Sequence, residues 1–420
     1  MARHGRLRQT GAAASLAKGL AMLLGTALVS VLVFGAIVYT NLRSGVETFE
    51  IAEEAPAKDL AAIEGGVNFL LVGSDDRTGQ GAEFGEGTED AEGVLNDVTM
   101  ILHLSADHKH ATVVSIPRDT LVDTPTCISD EGEEIPEQYG VQFNSLLGSG
   151  GMNCVISTVE NMSGLDIQFA AMVKFRGVIE MSNAVGGVEV CVEQPIDDPY
   201  IGLQLDAGYH TLKGADALAF LRTRHGVGDG SDLSRISNQQ VFLSALMRTL
   251  KSSDTLTDPT KLYGIARAAT QNMVLSSNLN NVDVMVQIAF ALSEVPLDQI
   301  SFVQLPVVTS DYDANRVVPD EYASEALWEL LRNDRSPNVV PKGSEAAGET
   351  DAASEGEAGA EGEAGVEGET DAEGEAAGPE DPAAGEGEPE SSGEATPDTG
   401  PTLTGQTADD VRCSNSDSIF

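Results

Sequence analysis

Four basic side chains fall within 23 residues of an acid-rich chain: Lys213, Arg222, Arg224 and Arg235. Arg222 and Arg224 alternate at the end of the apolar stretch LAFLRTRH, and Arg235 follows the turn sequence GDGSDLS. A further arginine, Arg118, ends a strand-like run in SIPRDT. Planar guanidinium groups grip phosphate oxygens two at a time, and a pyrophosphate needs several of them. Carboxylates stand at comparable places: Asp75 and Asp76 follow LLVG, and Asp97 opens DVTMILHL. A hard divalent cation such as Mg²⁺ (or Mn²⁺) takes one or two carboxylates and completes its shell with phosphate and water oxygens. Aspartates at adjacent strand ends would supply that pair, and open α/β sheets bind ligands at strand ends. Each residue also has an ordinary use: a surface ion pair for an arginine, turn or helix-cap duty for an aspartate.

Other chemistries find no support. The chain has no Gly-x-Ser-x-Gly, no His-Glu-x-x-His and no Walker-type phosphate loop. His103, His108 and His110 read as scattered surface histidines. A formal charge of -43, from 24 Lys+Arg against 67 Asp+Glu, is wrong for a nucleic-acid binder, which needs a basic face. Four cysteines in 420 residues are too sparse for a disulfide scaffold.

The elements that must position these residues follow from periodicity. VNFLLVG, DVTMILHLS, ATVVSI, GVEVCV and ISFVQLPV read as strands. GADALAFLR, RISNQQVFLSALMRTL, NVDVMVQIAFAL and EYASEALWELLRND read as helices. In GMNCVISTVENMSG, Met152, Val155, Ile156, Val159 and Met162 share one helical face, and Gly164 suits the C-cap. This alternation predicts one large α/β domain over 67–335, a mixed central sheet flanked by helices. Before it come a basic N-terminus (1–18), an uncharged run long enough to span a membrane (19–42) and a juxtamembrane linker (43–66). The positive flank predicts a cytoplasmic N-terminus, a retained single-pass anchor and an extracytoplasmic domain. Residues 343–420 carry 22 acidic residues and one basic residue, a composition that predicts a disordered low-complexity tail.

Taken together, LLVGSDDR, NDVTMIL, VVSIPRDT, FNSLL, NAVGGVEVCVEQPIDD, LKGADALAFLRTRH and DLSRISNQQ resemble the LytR-CpsA-Psr family of cell-wall polymer ligases. The resemblance implies a membrane-anchored phosphotransferase of cell wall biogenesis. Such an enzyme moves a glycopolymer, for example a teichoic acid, from a polyprenyl-pyrophosphate carrier onto peptidoglycan. By position it implies catalytic roles for Asp75, Asp97 and Arg118, with Asp75 and Asp97 holding Mg²⁺. It further implies that Arg77, Arg118, Arg222, Arg224, Arg235 and Gln239 bind the pyrophosphate. Asn238 departs from the family, which usually has an arginine there. A lipid carrier needs an apolar groove, and the helices at 152–162 and 236–250 offer apolar faces for one, although ordinary core packing is the default reading of both stripes.

Cys127, in the loop after SIPRDT, and Cys154, at the start of a helix, are expected to form a disulfide, a pairing the resemblance also implies. Cys191 is expected as a buried thiol, with a pairing of its own left open, and Cys413 as a free cysteine in the tail. The competing reading is a non-catalytic protein that holds polyprenyl phosphates or scaffolds wall assembly. It would use the same arginines, and Asn238 leans toward it.

Overall fold

The computed structural model describes residues 12–43, 45–52, 66–76, 94–228, 230–252, 255, 258–340 and 402–414. Among them, nine strands form a mixed sheet. Its order is Glu47–Phe49, Met273–Ser276, Phe169–Val173, Val67–Ser74, Asn96–Leu104, Ala111–Ile116, Ile300–Gln304, Thr402–Thr407 and Asn338–Val340. The central strands Val67–Ser74, Asn96–Leu104 and Ala111–Ile116 are antiparallel neighbours. Phe169–Val173 and Ile300–Gln304 join them in parallel.

Both faces of this sheet are covered, giving a three-layer α/β/α domain. In Val67–Ser74 successive side chains alternate between the faces. Leu70 and Val72 join one core with the Leu146–Ser163 and Glu321–Arg332 helices, through Val155, Val159, Trp328 and Leu331. Phe69 packs toward the other, where Phe169, Phe302, Val284 and Ala291 meet Leu243 and Met247 of the Asp232–Lys251 helix. A third core lies between that helix, the Ala215–Arg222 helix and a small sheet of Gly208–Leu212, Val188–Val192 and Cys413–Ser414.

The Leu146–Ser163 helix is broken at Gly151, whose φ of 72° favours glycine and where a Cβ would meet the Asp130 carboxylate at 2.1 Å. Asp130 accepts the N–H groups of Met152 and Asn153, capping a second helical segment that starts where the sequence pattern starts it. Gly164 ends the helix in the left-handed conformation. The apolar face of this helix is core, its default reading, rather than the border of a lipid groove: Met152, Val155, Ile156 and Val159 are buried against the sheet. The Cys127–Cys154 disulfide is present. His103 is not a surface residue; it is buried, bonded to Asn68 and Asp334, and desolvation pushes its pKa down despite the Asp334 carboxylate.

Two expectations about the chain ends are corrected. Part of the segment read as disordered tail belongs to the fold. Thr402–Thr407 inserts between Ile300–Gln304 and Asn338–Val340, burying Leu403 and Gln406. Cys413 is not free: it pairs in register with Cys191 and forms a disulfide with it, so Cys191 is no thiol either. The rest of the tail lies outside the described residues. Likewise part of the juxtamembrane linker, Glu47–Phe49, is an edge strand on Met273–Ser276. The Ala12–Arg43 helix contains an apolar stretch from Leu16 to Ile37, about 33 Å long at the rise of an α-helix and thus long enough to cross a bilayer.

Candidate active site

The antiparallel pair Val67–Ser74 and Asn96–Leu104 keeps register to Gly73 opposite Val98, then resumes with Ser74 opposite Asn96. Asp97 is the extra residue, left without a partner in the ladder. A bulge of this kind bends a strand and re-aims its side chain, and here it turns Asp97 to the sheet's end. Beside it, Asp75 is held by the same loop ends: its N–H bonds the Leu95 carbonyl and its Oδ1 accepts the Leu95 N–H at 2.9 Å. Asp76 takes the Lys174 ammonium at 2.8 Å.

Arg118 is delivered by the end of Ala111–Ile116. Pro117 stops the strand, and its carbonyl accepts both the N–H and the hydroxyl of Thr120, closing a turn. The Arg118 guanidinium then donates from Nη1 to Asp97 Oδ1 at 2.6 Å. Arg235 sits on the first turn of the Asp232–Lys251 helix, whose N-cap is Ser231. Its Nη2 donates to the Asp97 carbonyl at 2.6 Å, and its Nη1 lies 3.9 Å from Asp97 Oδ1.

The centre of this cluster is a residue that the sequence reading passed over. The buried Asp232 carboxylate lies 2.6 Å from Arg235 Nη2, 3.5 Å from Arg224 Nη2 and 3.7 Å from Arg118 Nε, and it accepts the Arg118 backbone N–H. Asp119 adds a second carboxylate 3.7 Å from Arg118 Nε and also takes Gln142 and Arg316. Asp198 was missed too. Wholly buried, it accepts the Thr223 hydroxyl and the N–H groups of Tyr200, Arg224 and His225, fixing the turn that carries Arg224. Burial acts to raise its pKa, but these bonds outweigh burial and hold the carboxyl below its usual range.

Of the residues expected at the site, Asp97, Arg118, Arg224 and Arg235 converge, while Asp75 stands at the neighbouring strand end, bonded to Leu95. Arg222 stands at the rim, its guanidinium 4.4 Å from the Phe175 ring centroid. Gln239 is buried and donates to the Leu221 carbonyl, bracing the Ala215–Arg222 helix. Arg77 lies outside the described residues. Asn238 points elsewhere: it donates to the Phe220 carbonyl and accepts from the Ser414 hydroxyl. In this chain Asn238 thus ties the long helix to the Ala215–Arg222 helix and to the C-terminal strand.

Burial, then the charges of Arg235 and Arg118, push the Arg224 guanidinium down from its ordinary value. Burial does the same to Arg235, against the pull of Asp232 and Asp97. Burial also opposes the charged form of Arg118, yet Asp97, Asp119 and Asp232 together raise its pKa. The Nε–H groups of Arg118 and Arg235 are buried and find no hydrogen-bond acceptor among the described residues. For a cation, Asp75 and Asp97 offer hard oxygens at adjoining chain ends; among the described residues no group of three or more His, Cys, Asp or Glu could complete a protein-only shell.

Behind this polar mouth the walls turn apolar. A cavity of about 360 Å³ has Asp97, Arg222 and Arg235 at its edge and Met181, Leu218 and Phe242 along its wall. A second, of about 250 Å³, shares Leu71, Met100, Leu243 and Leu246 with the first and continues to Phe69 and Phe302. The 236–250 segment thus lines the apolar space, as its pattern suggested.

A family model described as the LytR_cpsA_psr family matches residues 36–333. Among curated proteins, the chain is similar to the "Cell wall biosynthesis protein LcpA" of Corynebacterium glutamicum, 30% identical over 310 residues, covering 67% of this chain and 58% of that one. It is also similar to the "Polyisoprenyl-teichoic acid--peptidoglycan teichoic acid transferase TagT" of Bacillus subtilis, 28% identical over 221 residues, covering 51% of this chain and 60% of that one. The chain thus spans less than two thirds of the length of either relative. Among solved structures, the "LytR-Csp2A-Psr enzyme from Actinomyces oris" superposes with a TM-score of 0.51 at 20% identity, over 68% of this chain and 94% of that one, a likeness of fold.

Proposed function

The chain belongs to the LytR_cpsA_psr family, and from that premise we propose that it is a membrane-anchored phosphotransferase. It moves a glycopolymer from a polyprenyl-pyrophosphate carrier onto peptidoglycan on the outer side of the membrane. The observation that carries this reading is the meeting of Arg118, Arg224 and Arg235 around Asp232, with Arg235 itself at the edge of an apolar cavity. The names of the relatives, a wall biosynthesis protein and a teichoic acid transferase, point the same way.

The donor's pyrophosphate lies against Arg118, Arg224 and Arg235, whose charges offset those on the non-bridging oxygens and need no reorganisation as the reaction proceeds. The prenyl chain occupies the apolar cavity, which fixes the phosphorus relative to the acceptor. A peptidoglycan hydroxyl oxygen attacks the sugar-linked phosphorus. Its new P–O bond forms as the bond to the bridging oxygen breaks, and polyprenyl phosphate leaves with that bond's electrons. The hydroxyl proton passes to a carboxylate of the site, Asp97 or Asp75. A Mg²⁺ held by Asp75 and Asp97 would add charge neutralisation at the phosphate. The Ala12–Arg43 helix anchors the domain, with the basic N-terminus in the cytoplasm.

The test uses the full chain in detergent, a lipid-linked glycan pyrophosphate and peptidoglycan, with Mg²⁺ present and after chelation. We expect glycan-phosphate on peptidoglycan and released polyprenyl phosphate, both dependent on the cation. Unchanged turnover in Arg118→Ala and Asp97→Ala would show the reading to be wrong.

A further inference from the structure

Beside the arginine cluster stands a pair of rings that packing does not explain. Tyr200 is 78% exposed and the His225 side chain 59%, and their rings lie against each other, tilted by 32°, with centroids 4.3 Å apart. Rings this exposed contribute little to a core, because the stabilisation from burial scales with the apolar area removed from water. Yet their backbone is held firmly. The buried Asp198 carboxylate accepts the N–H of Tyr200 at 3.2 Å and of His225 at 3.3 Å, and also the N–H of Arg224 at 3.2 Å. One buried anion therefore fixes both rings to the segment that carries a cluster arginine. The hairpin bearing Tyr200, Ile196–Asp198 with Leu203–Leu205, packs directly on this turn. At Gly226 a Cβ would come within 2.8 Å of Ile196 Cγ2, so the close approach requires glycine.

We propose that Tyr200 and His225 form a platform for a pyranose ring next to the phosphate-binding arginines. The proposal rests on the phosphotransferase reading and adds a glycan subsite to it. A pyranose presents a face of C–H groups that suits the negative face of an aromatic ring, while its hydroxyls remain in water. The donor's first sugar is bonded directly to phosphate, so it must lie within a few ångströms of the arginines. His225 follows Arg224 immediately in sequence, and the Tyr200 ring lies against that of His225. The same chemistry would hold a sugar of the acceptor strand, and the test separates the two sources.

Three probes suffice with the full chain in detergent micelles: geranylgeranyl pyrophosphate bearing one N-acetylglucosamine, the same lipid without the sugar, and N-acetylchitotetraose. We expect the sugar-bearing lipid to bind up to about tenfold more tightly than the bare lipid, the range of one aromatic stacking contact. Tyr200→Ala erases that difference and leaves the bare lipid's affinity unchanged, and Tyr200→Trp keeps it. If only chitotetraose binding responds to Tyr200→Ala, the platform stands and serves the acceptor. If Tyr200→Ala weakens bare and sugar-bearing lipid alike, or changes neither glycan arm, the proposal is overturned. A loss confined to binding of phosphatidylglycerol vesicles also overturns it, making the pair a membrane contact. Sugar discrimination that depends on Tyr200 in a protein without turnover would uphold the platform and refute the transfer reading.

Discussion

The polar mouth and the apolar chamber are built by the same pieces of chain. The Asn96–Leu104 strand gives Asp97 to the mouth and Met100 to the chamber. The long helix does likewise along one stripe. Asp232 and Arg235 face the mouth, Gln239 stands at the boundary, and Phe242, Leu243 and Leu246 line the chamber. These positions recur at three- and four-residue intervals, the spacing of one helical face. From Arg235 to Leu246 the helix advances about 16 Å. Within that length the surface passes from paired charges to hydrocarbon. A site for a water-soluble phosphate would need only the first part; the second argues for a ligand with a charged head and a long apolar tail.

The largest effect should come from the hub that keeps the mouth together. Asp232→Ala leaves Arg118, Arg224 and Arg235 sharing too few carboxylates in a buried setting. It should lower unfolding free energy by about 3–5 kcal/mol, read from denaturant titration; a loss under 1 kcal/mol would mean Asp119 and Asp97 suffice. Next, Arg118→Ala should reduce transfer by about 10²–10³-fold while the chamber remains intact, so binding of an uncharged prenyl alcohol should persist. The converse change is Leu246→Trp, which fills space shared by both cavities. It should weaken binding of a prenyl pyrophosphate about tenfold, a loss of roughly 1.4 kcal/mol, and leave inorganic pyrophosphate unaffected. Equal effects on both ligands would erase the distinction between the two regions.

The smallest effect is a pH dependence. The Asp198 carboxyl is held below its ordinary pKa of about 3.9. Its contribution to stability is present above that value and is lost as pH falls through the lower folded-state pKa. Asp198→Asn should therefore flatten the acid limb of the stability curve below about pH 4 without changing its slope near neutrality.

Much of this was legible in the sequence, for reasons that differ by region. Strands such as VNFLLVGS and helices such as EYASEALWELLR declare themselves through the period of their apolar residues. Asp97 and Arg118 could be chosen because a charge at the end of an apolar run is conspicuous. Asp232 could not: an acidic residue after Ser231 looks like ordinary helix N-terminal chemistry, and only the folded chain shows three arginines around it. Nor does periodicity say what an apolar face meets: the 152–162 and 236–250 stripes look alike in sequence, yet the first is core and the second lines the chamber. The C-terminal strand was hidden by averaging. Thirteen residues, 402–414, lie at the end of a long Gly- and Glu-rich stretch whose composition swamps theirs. Their partners on the long helix, Gln240, Ser244 and Arg248, are on its opposite side and have no pattern that announces a strand.

The central claim is that one amphiphilic ligand bridges mouth and chamber. A crystal structure of the full chain with a polyprenyl pyrophosphate tests it most directly. The account predicts phosphate oxygens on Arg118, Arg224 and Arg235, with the prenyl chain running past Met100 and Leu246. A pyrophosphate bound away from those arginines, or a prenyl chain outside the chamber, would contradict it.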